Sequence, residues 1–367
     1  MWLGSLLTSS AESLGRLVLV SLIPNSVPAV FVVLTVSAGS FSGSSDWYGL
    51  RSDLRPDTLA VVLFVLAVAL VTAVVQPFQI RVLRVLEGYW DGWAVTARIA
   101  PVFEEFQRRR RRELRRTAGR QPSDEPTSGS LHELVRHRRT AARFEAKKRR
   151  AERRLQRYPA KEPVEPRKGF TALNLRDIPV LPTGLGNALR AGETSGGERY
   201  GLNTLSSWPR LYPHFPESFA KGQASVRDAL DAAANLCLNF FVTTIIGVVA
   251  LHDEPRAYWI PAASAVLCGL SYMGAIAAAT EYSTFIKTAY DLYRSELLKS
   301  ARLPLPKDPA EELATFMTLS DFYSKAATDF GSAHGLALMS LQSIAYDSAK
   351  KDEIVIVDKR KRIRRNP

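Results

Sequence analysis

Asp231, Asn235, Asn239 and Thr243 recur at four-residue intervals. On a helix that spacing puts all four on one face. Glu281 closes a second apolar stretch further on. Amide and hydroxyl groups inside hydrocarbon seek hydrogen-bond partners, so a polar stripe of this kind can join helices. The apolar stretch ending at Glu281 carries small residues at matching spacing: Ala265 and Gly269, then Ser271, Ala275 and Ala279. They would let a neighbouring helix approach closely. The same stripe can instead line an ion path, with Asp231 and Glu281 as a carboxylate vestibule. No other apolar stretch supplies pore-lining charge, which favours helix joining.

Positive charge is the second chemistry. Arg108, Arg109, Arg110, Arg111 and Arg112 are consecutive, and Lys147, Lys148, Arg149 and Arg150 form a second run. Lys and Arg at a membrane surface each gain about 1 kcal/mol from anionic lipid. Nucleic acid would answer to the same charge, but no base-stacking aromatics interleave the runs. A solvated face with counterions alone is the third reading. Lipid headgroups or an acidic protein partner are the expected contacts.

Familiar catalytic patterns are missing. There is no GxxxxGK[ST], HExxH or GxSxG, so neither a phosphate loop, a zinc protease helix nor a nucleophile elbow is encoded. His132 and His137 sit five apart among arginines, where positive charge opposes a metal ion. No enzyme activity, cofactor or metal is expected.

What must position these groups is a membrane. Leu17–Ser45, Thr58–Ile80, Ala232–Leu251 and Ala257–Thr280 contain no charged residue. Each reaches the ~20 residues that a helix needs to cross a bilayer. Four spanning helices are expected, at about 17–36, 58–78, 230–251 and 258–280. The first is too long for a signal peptide. The segment 81–228 carries 31 Lys and Arg against 17 Asp and Glu. Its excess places it in the cytoplasm with both termini, and the short loops after the first and third spans outside. Cys237 and Cys268 both fall within spans and read as packing residues.

The expected layout has five parts. Residues 1–80 form a membrane hairpin that opens with an interfacial amphipathic segment, Met1–Ser13. Pro24 and Pro28 flank Asn25 in its first span, and a kink is expected there. Residues 81–176 form a basic cytoplasmic helical insert. Its first helix should run on from the second span to about Arg116, and Arg120–Gly129 and Tyr158–Arg167 read as linkers. Residues 177–229 form a lobe rich in turn formers and aromatics. Residues 230–281 form the second membrane hairpin. Residues 282–367 form a helical cytoplasmic region, stopped at Pro304–Pro309, resumed over Glu311–Lys350 and ending in a basic tail after the β-branched run Ile354–Val357.

The lobe carries Pro182-Thr183, Leu185-Gly186-Asn187, Leu189-Arg190-Ala191 and Glu193, then Tyr200-Gly201-Leu202 and Trp208-Pro209-Arg210-Leu211. This pattern, PTxLGNxLRAxE…YGL…WPRL, resembles that of an uncharacterised group of bacterial multi-pass membrane proteins. The likeness covers about 178–217 and the flanking spans, and leaves out the basic insert. It implies a bacterial inner-membrane location and carries no activity. Within it, Arg190 and Glu193 are placed to pair along a helix. Asn187, Tyr200, Trp208 and Arg210 are the other candidate contacts.

The fold class expected is therefore an all-α integral membrane protein with four spans and helical cytoplasmic extensions. The expected function is a non-enzymatic membrane scaffold or regulator that self-associates. The alternative is a channel or transporter subunit.

Overall fold

The computed structural model of the chain describes residues 15–324, except 17, 42, 44, 47–57, 76–77, 91, 93, 121–130 and 160–179. The segment Met1–Ser13, nearly all of both linkers, the Ile354–Val357 run and the basic tail lie outside the described residues. So does everything beyond 324, including most of the helical region expected over Glu311–Lys350.

Among the described residues every regular element is helical. A π-helical turn, Val18–Leu22, leads into α1 (Ile23–Ser37). There follow α2 (Thr58–Val75), α3 (Gln79–Glu87), α4 (Ala94–Ala118) and α5 (Leu131–Leu155). Next come α6 (Gly184–Ser195), α7 (Thr204–Leu211), α8 (Glu217–Ala250), α9 (Trp259–Ser300) and α10 (Pro309–Ser324).

Among the described residues three helices are long and apolar enough to cross a membrane: Val18–Ser37, Glu217–Ala250 and Pro255–Ser300. Four were expected. The apolar stretch over the expected second span, Val61–Val74, is shorter, and at ~1.5 Å per residue it falls short of ~30 Å of hydrocarbon. α9 continues unbroken past the expected span end at Thr280 to Ser300.

The chain divides into two compact units. The first comprises 1–158, 168–189 and 224–281. In it α1 and α8 run parallel. Arg16, just before α1, pairs with Asp228 of α8 at 2.6 Å, and the Ser45 N–H donates to the Glu254 carboxylate past the ends of both helices. Ser264 Oγ donates to the Phe240 carbonyl at 2.9 Å, tying α9 to α8. A small core of Leu185, Ala188, Leu230, Ala275 and Ala279 joins α6, α8 and α9.

The second span was expected to continue as one helix towards Arg116. The structure ends α3 at Glu87 instead. Gly88 takes φ 94°, and its N–H returns to the Arg84 and Val85 carbonyls. That left-handed cap suits glycine and stops the helix. Trp90 Nε1 donates to the Val85 carbonyl at 2.8 Å, and Thr96 Oγ1 to the Trp90 carbonyl at 2.8 Å, which fixes the elbow. α4 then starts afresh at Ala94 and runs through Pro101 without a break.

The second unit comprises 159–167, 190–223 and 282–367. Its core gathers Leu202, Leu211, Ile286, Tyr290, Leu297, Leu298, Phe316 and Leu319. Tyr290 is fully buried, and burial of a phenol requires partners for its hydroxyl. It has two, Ser207 Oγ at 2.8 Å and the Thr204 carbonyl at 3.1 Å. Asn203 caps α7 by accepting the Ser206 N–H at 3.0 Å. Asp308 caps α10 by accepting the N–H groups of Ala310 and Glu311, both at 2.8 Å.

Candidate functional site

The polar stripe of α8 is built against the π-helical turn that leads into α1. Pro24 has no N–H to return to the carbonyl of residue 20, so an α-helical bond is missing there. Asn235 fills the gap by donating Nδ2 to the Val20 carbonyl at 2.9 Å. One turn on, Asn239 Nδ2 donates to Asn25 Oδ1 at 3.0 Å and to the Asn235 carbonyl at 2.8 Å. Asn25 Nδ2 donates in turn to Thr72 Oγ1 at 3.3 Å, and that hydroxyl donates to the Val68 carbonyl at 2.7 Å. The result is a ladder of side-chain bonds through α8, α1 and α2. Asn25, Thr72, Asn235 and Asn239 are all buried.

The amides of α8 were expected to meet the small residues of the fourth span. They meet α1 instead. The small residues have other neighbours: Ala275 and Ala279 pack in the core with Leu185 and Ala188. Gly269 has open space where a Cβ would stand. It lines an open, largely apolar groove of about 440 Å³ with Cys237, Phe241, Thr244, Ala265, Cys268 and Tyr272. Cys237 Sγ and Cys268 Sγ are 3.7 Å apart in that groove as free thiols. Thr243 is buried and donates back to the Asn239 carbonyl at 2.8 Å. Asp231 lies 3.9 Å from Arg227 on its own helix, and Glu281 is exposed.

The motif residues fall into both units. In the first, Asn187 is 1% exposed and works as a backbone surrogate. It accepts the Leu181 N–H at 2.9 Å and donates to the Leu181 and Thr183 carbonyls, both at 2.7 Å. Gly186 lies so close to the Glu87 carbonyl that a Cβ would overlap it. Thr183 Oγ1 donates to the same Glu87 carbonyl at 2.7 Å. The open N–H groups at the start of α6 donate to the Tyr272 hydroxyl, Gly184 at 3.1 Å and Leu185 at 3.3 Å.

In the second unit, Arg190 Nη1 pairs with Glu193 at 2.7 Å, as the three-residue spacing predicts. Burial pushes the nearby Glu198 carboxyl above its ordinary range; the Arg190 charge opposes that shift and Glu193 adds to it. Tyr200 donates to Asp291 Oδ1 at 2.6 Å. Its ring carries the Arg294 guanidinium at 4.2 Å and that of Arg199 at 4.9 Å. Burial, then the bond to Asp291, push its phenol above the usual range. Arg294 also pairs with Glu312 at 2.9 Å. Trp208 packs against Phe215 and Tyr290. Arg210 stacks on the Tyr323 ring at 4.1 Å. These motif residues are spent on internal contacts.

The basic runs lie on α4 and α5, which pack together. Arg108 pairs with Glu104, Arg109 and Arg112 with Glu105, and Arg149 with Glu145. Such exposed pairs add little to stability. The Arg109 and Arg112 guanidiniums hold the Glu105 carboxyl below its ordinary value. Arg110, Lys147 and Arg150 are exposed with no ion pair among the described residues, and Lys148 is half-exposed. Arg111 departs from the expected contact set: it is 8% exposed, on a buried face with Ala100 and Gln107. Gln107 on that face accepts from the Tyr158 hydroxyl at 2.7 Å, and burial raises that phenol.

Among the described residues no three His, Cys, Asp or Glu side chains converge to hold a metal ion. The chain matches no protein-family model, no curated protein and no solved structure.

Three features were not read from the sequence: the partnership of Asn25 and Thr72, the Arg16–Asp228 pair, and the capping of α6 by Tyr272. Asn25 carried a signal, since it sits between two prolines in an apolar helix. The other partners depend on helix packing, which spacing along one helix does not encode.

Proposed function

We propose that this chain is a non-enzymatic scaffold or regulator of the bacterial inner membrane, whose basic helix pair contacts anionic lipid headgroups. The carrying observation is the surface of α4 and α5. These helices hold 18 Lys and Arg against 6 Asp and Glu, and Arg110, Lys147 and Arg150 are exposed without an ion pair among the described residues. A charge excess of this size, tethered beside membrane-spanning helices, gains roughly 1 kcal/mol per residue from anionic lipid.

In this reading α2 is the fourth span. Its side chains at Leu59, Leu63, Leu66 and Leu70 are more than half exposed, and water would penalise that surface while lipid would not. Thr72, its one buried polar side chain, is tied to Asn25. The termini and the helix pair are cytoplasmic, in line with the charge excess of 81–228. The proximity of Ser45 and Glu254 supports this order, since both expected outer loops then lie on one side. The amides of α8 are occupied by α1, which favours helix joining over an ion path.

Arg110→Gln, Lys147→Gln and Arg150→Gln, combined, test the reading. The full chain is reconstituted in bilayers with a trace of fluorescent anionic lipid, and energy transfer from a label on α5 reports local enrichment. Enrichment around the native chain that falls in the triple variant and in high salt supports lipid contact. Equal signals from anionic and zwitterionic probes would overturn it.

A further inference from the structure

The first half of α4 carries five exposed large apolar side chains. Val95 is 74% exposed, Val102 70% and Phe106 57%; Ile99 and Phe103 are exposed too. At 3.6 residues per turn they form one stripe. The buried face of the same helix, Ala100, Gln107 and Arg111, lies about a third of a turn away. The stripe is therefore a separate surface from that buried face. Phe103 makes an edge contact with Trp90 at the elbow, 5.5 Å between centroids. Exposed Arg98, Arg109 and Arg110 lie on the stripe's side of the helix by the same periodicity.

An apolar stripe flanked by arginines, on a helix that starts just past a tryptophan elbow, has the chemistry of an interfacial helix. Its apolar side chains suit the headgroup–acyl boundary and its guanidiniums suit phosphate. We propose that this stripe of α4 lies in the surface of an anionic membrane, with Val102 and Phe106 below the headgroups. The inference rests on the reading of the basic helix pair as lipid-facing. It adds that the contact is an insertion and places it on α4. Charge complementarity selects lipid over a protein groove: Arg98 and Arg110, exposed beside the two ends of the stripe, suit phosphate.

The test uses the full chain with Cys237→Ala and Cys268→Ala as background, reconstituted in vesicles of phosphatidylglycerol and phosphatidylcholine. Val102→Cys carries a bimane label; its high exposure leaves the protein's packing intact. Ala94→Cys, exposed on another face of α4, is the reference. Doxyl-labelled lipid should quench the label at 102 several-fold more than the label at 94, and aqueous iodide should do the reverse. Equal iodide quenching at both sites would overturn the proposal. Shielding of 102 from both quenchers would overturn it as well, and would assign the stripe to a protein partner or a second copy. Loss of insertion with retained enrichment of anionic probe lipid would reject the insertion alone. Loss of both would reject the lipid reading of the basic pair.

Discussion

Asn239 donates its side-chain amide to Asn25 Oδ1 at 3.0 Å, joining two membrane helices 214 residues apart in the chain. The same Asn25 donates to Thr72. Each group in the ladder therefore serves a neighbour that would otherwise be stranded in hydrocarbon. A buried amide left without a partner is costly, so the three helices depend on one another's register.

That dependence is measurable. Asn25→Leu, Asn239→Leu and the double variant form a cycle. The coupling energy should be about 0.6–2 kcal/mol, the range of hydrogen bonds between membrane helices. Reversible unfolding in mixed micelles would report it. Strict additivity would mean that the two amides do not touch.

The close approach of α6 to the end of α3 predicts a position intolerant of one methyl group. Gly186→Ala would push a Cβ into the Glu87 carbonyl and should destabilise the chain by about 1–3 kcal/mol. Gly269→Ala, which meets open space, should be neutral or slightly stabilising through helix propensity. Thermal unfolding of the two variants in detergent should separate them. The same loss in both would contradict the packing of 186 against 87.

Glu198 gives a pH dependence with a definite sign. Burial raises its folded pKa above the ordinary 4.5, so the folded state holds the proton more tightly than the unfolded one. Its effect on stability is therefore unfavourable at neutral pH and disappears as pH falls through the raised value towards 4.5. Glu198→Gln should raise the unfolding temperature at pH 7, and the gain should shrink towards pH 4.5. A gain that does not change with pH would show that the carboxyl is not desolvated.

The free thiols of Cys237 and Cys268 report on how α8 meets α9. At 3.7 Å between sulfurs, a membrane-permeant oxidant should remove both thiols together. The product should be an intrachain link that leaves the chain monomeric on a denaturing gel. Loss of one thiol only, or a disulfide-linked dimer, would contradict the helix contact.

Sequence spacing revealed the face of the polar stripe but not what it faces. Four-residue repeats identify neighbours along a single helix, and Asn235 and Asn239 do share a face. Their partners sit on α1, where Pro24 leaves the Val20 carbonyl open. Pairing that vacancy with Asn235 requires knowing which helices are adjacent. Three of the four charge-free windows coincide with helices long and apolar enough to span, while the apolar stretch of the fourth, Val61–Val74, is shorter. The elbow at Gly88 was missed because Leu83, Leu86, Trp90 and Trp93 keep a helical period across it. A single left-handed glycine ends the helix while the period of its neighbours persists. Arg190 and Glu193 pair as expected because both ends of that contact lie on one short helix. Arg111 looked equivalent to its four neighbours, and only its burial beside Ala100 and Gln107 singles it out.

Engagement of α4 and α5 with anionic lipid would shield their basic runs from protease. The most direct test is tryptic cleavage of the full chain in nanodiscs, mapped by mass spectrometry across Arg108–Arg112 and Lys147–Arg154. Cleavage should be markedly slower in phosphatidylglycerol-rich discs than in phosphatidylcholine discs, and the protection should fade as salt shortens the screening length. Equal cleavage at these sites in both lipids at low salt would contradict it.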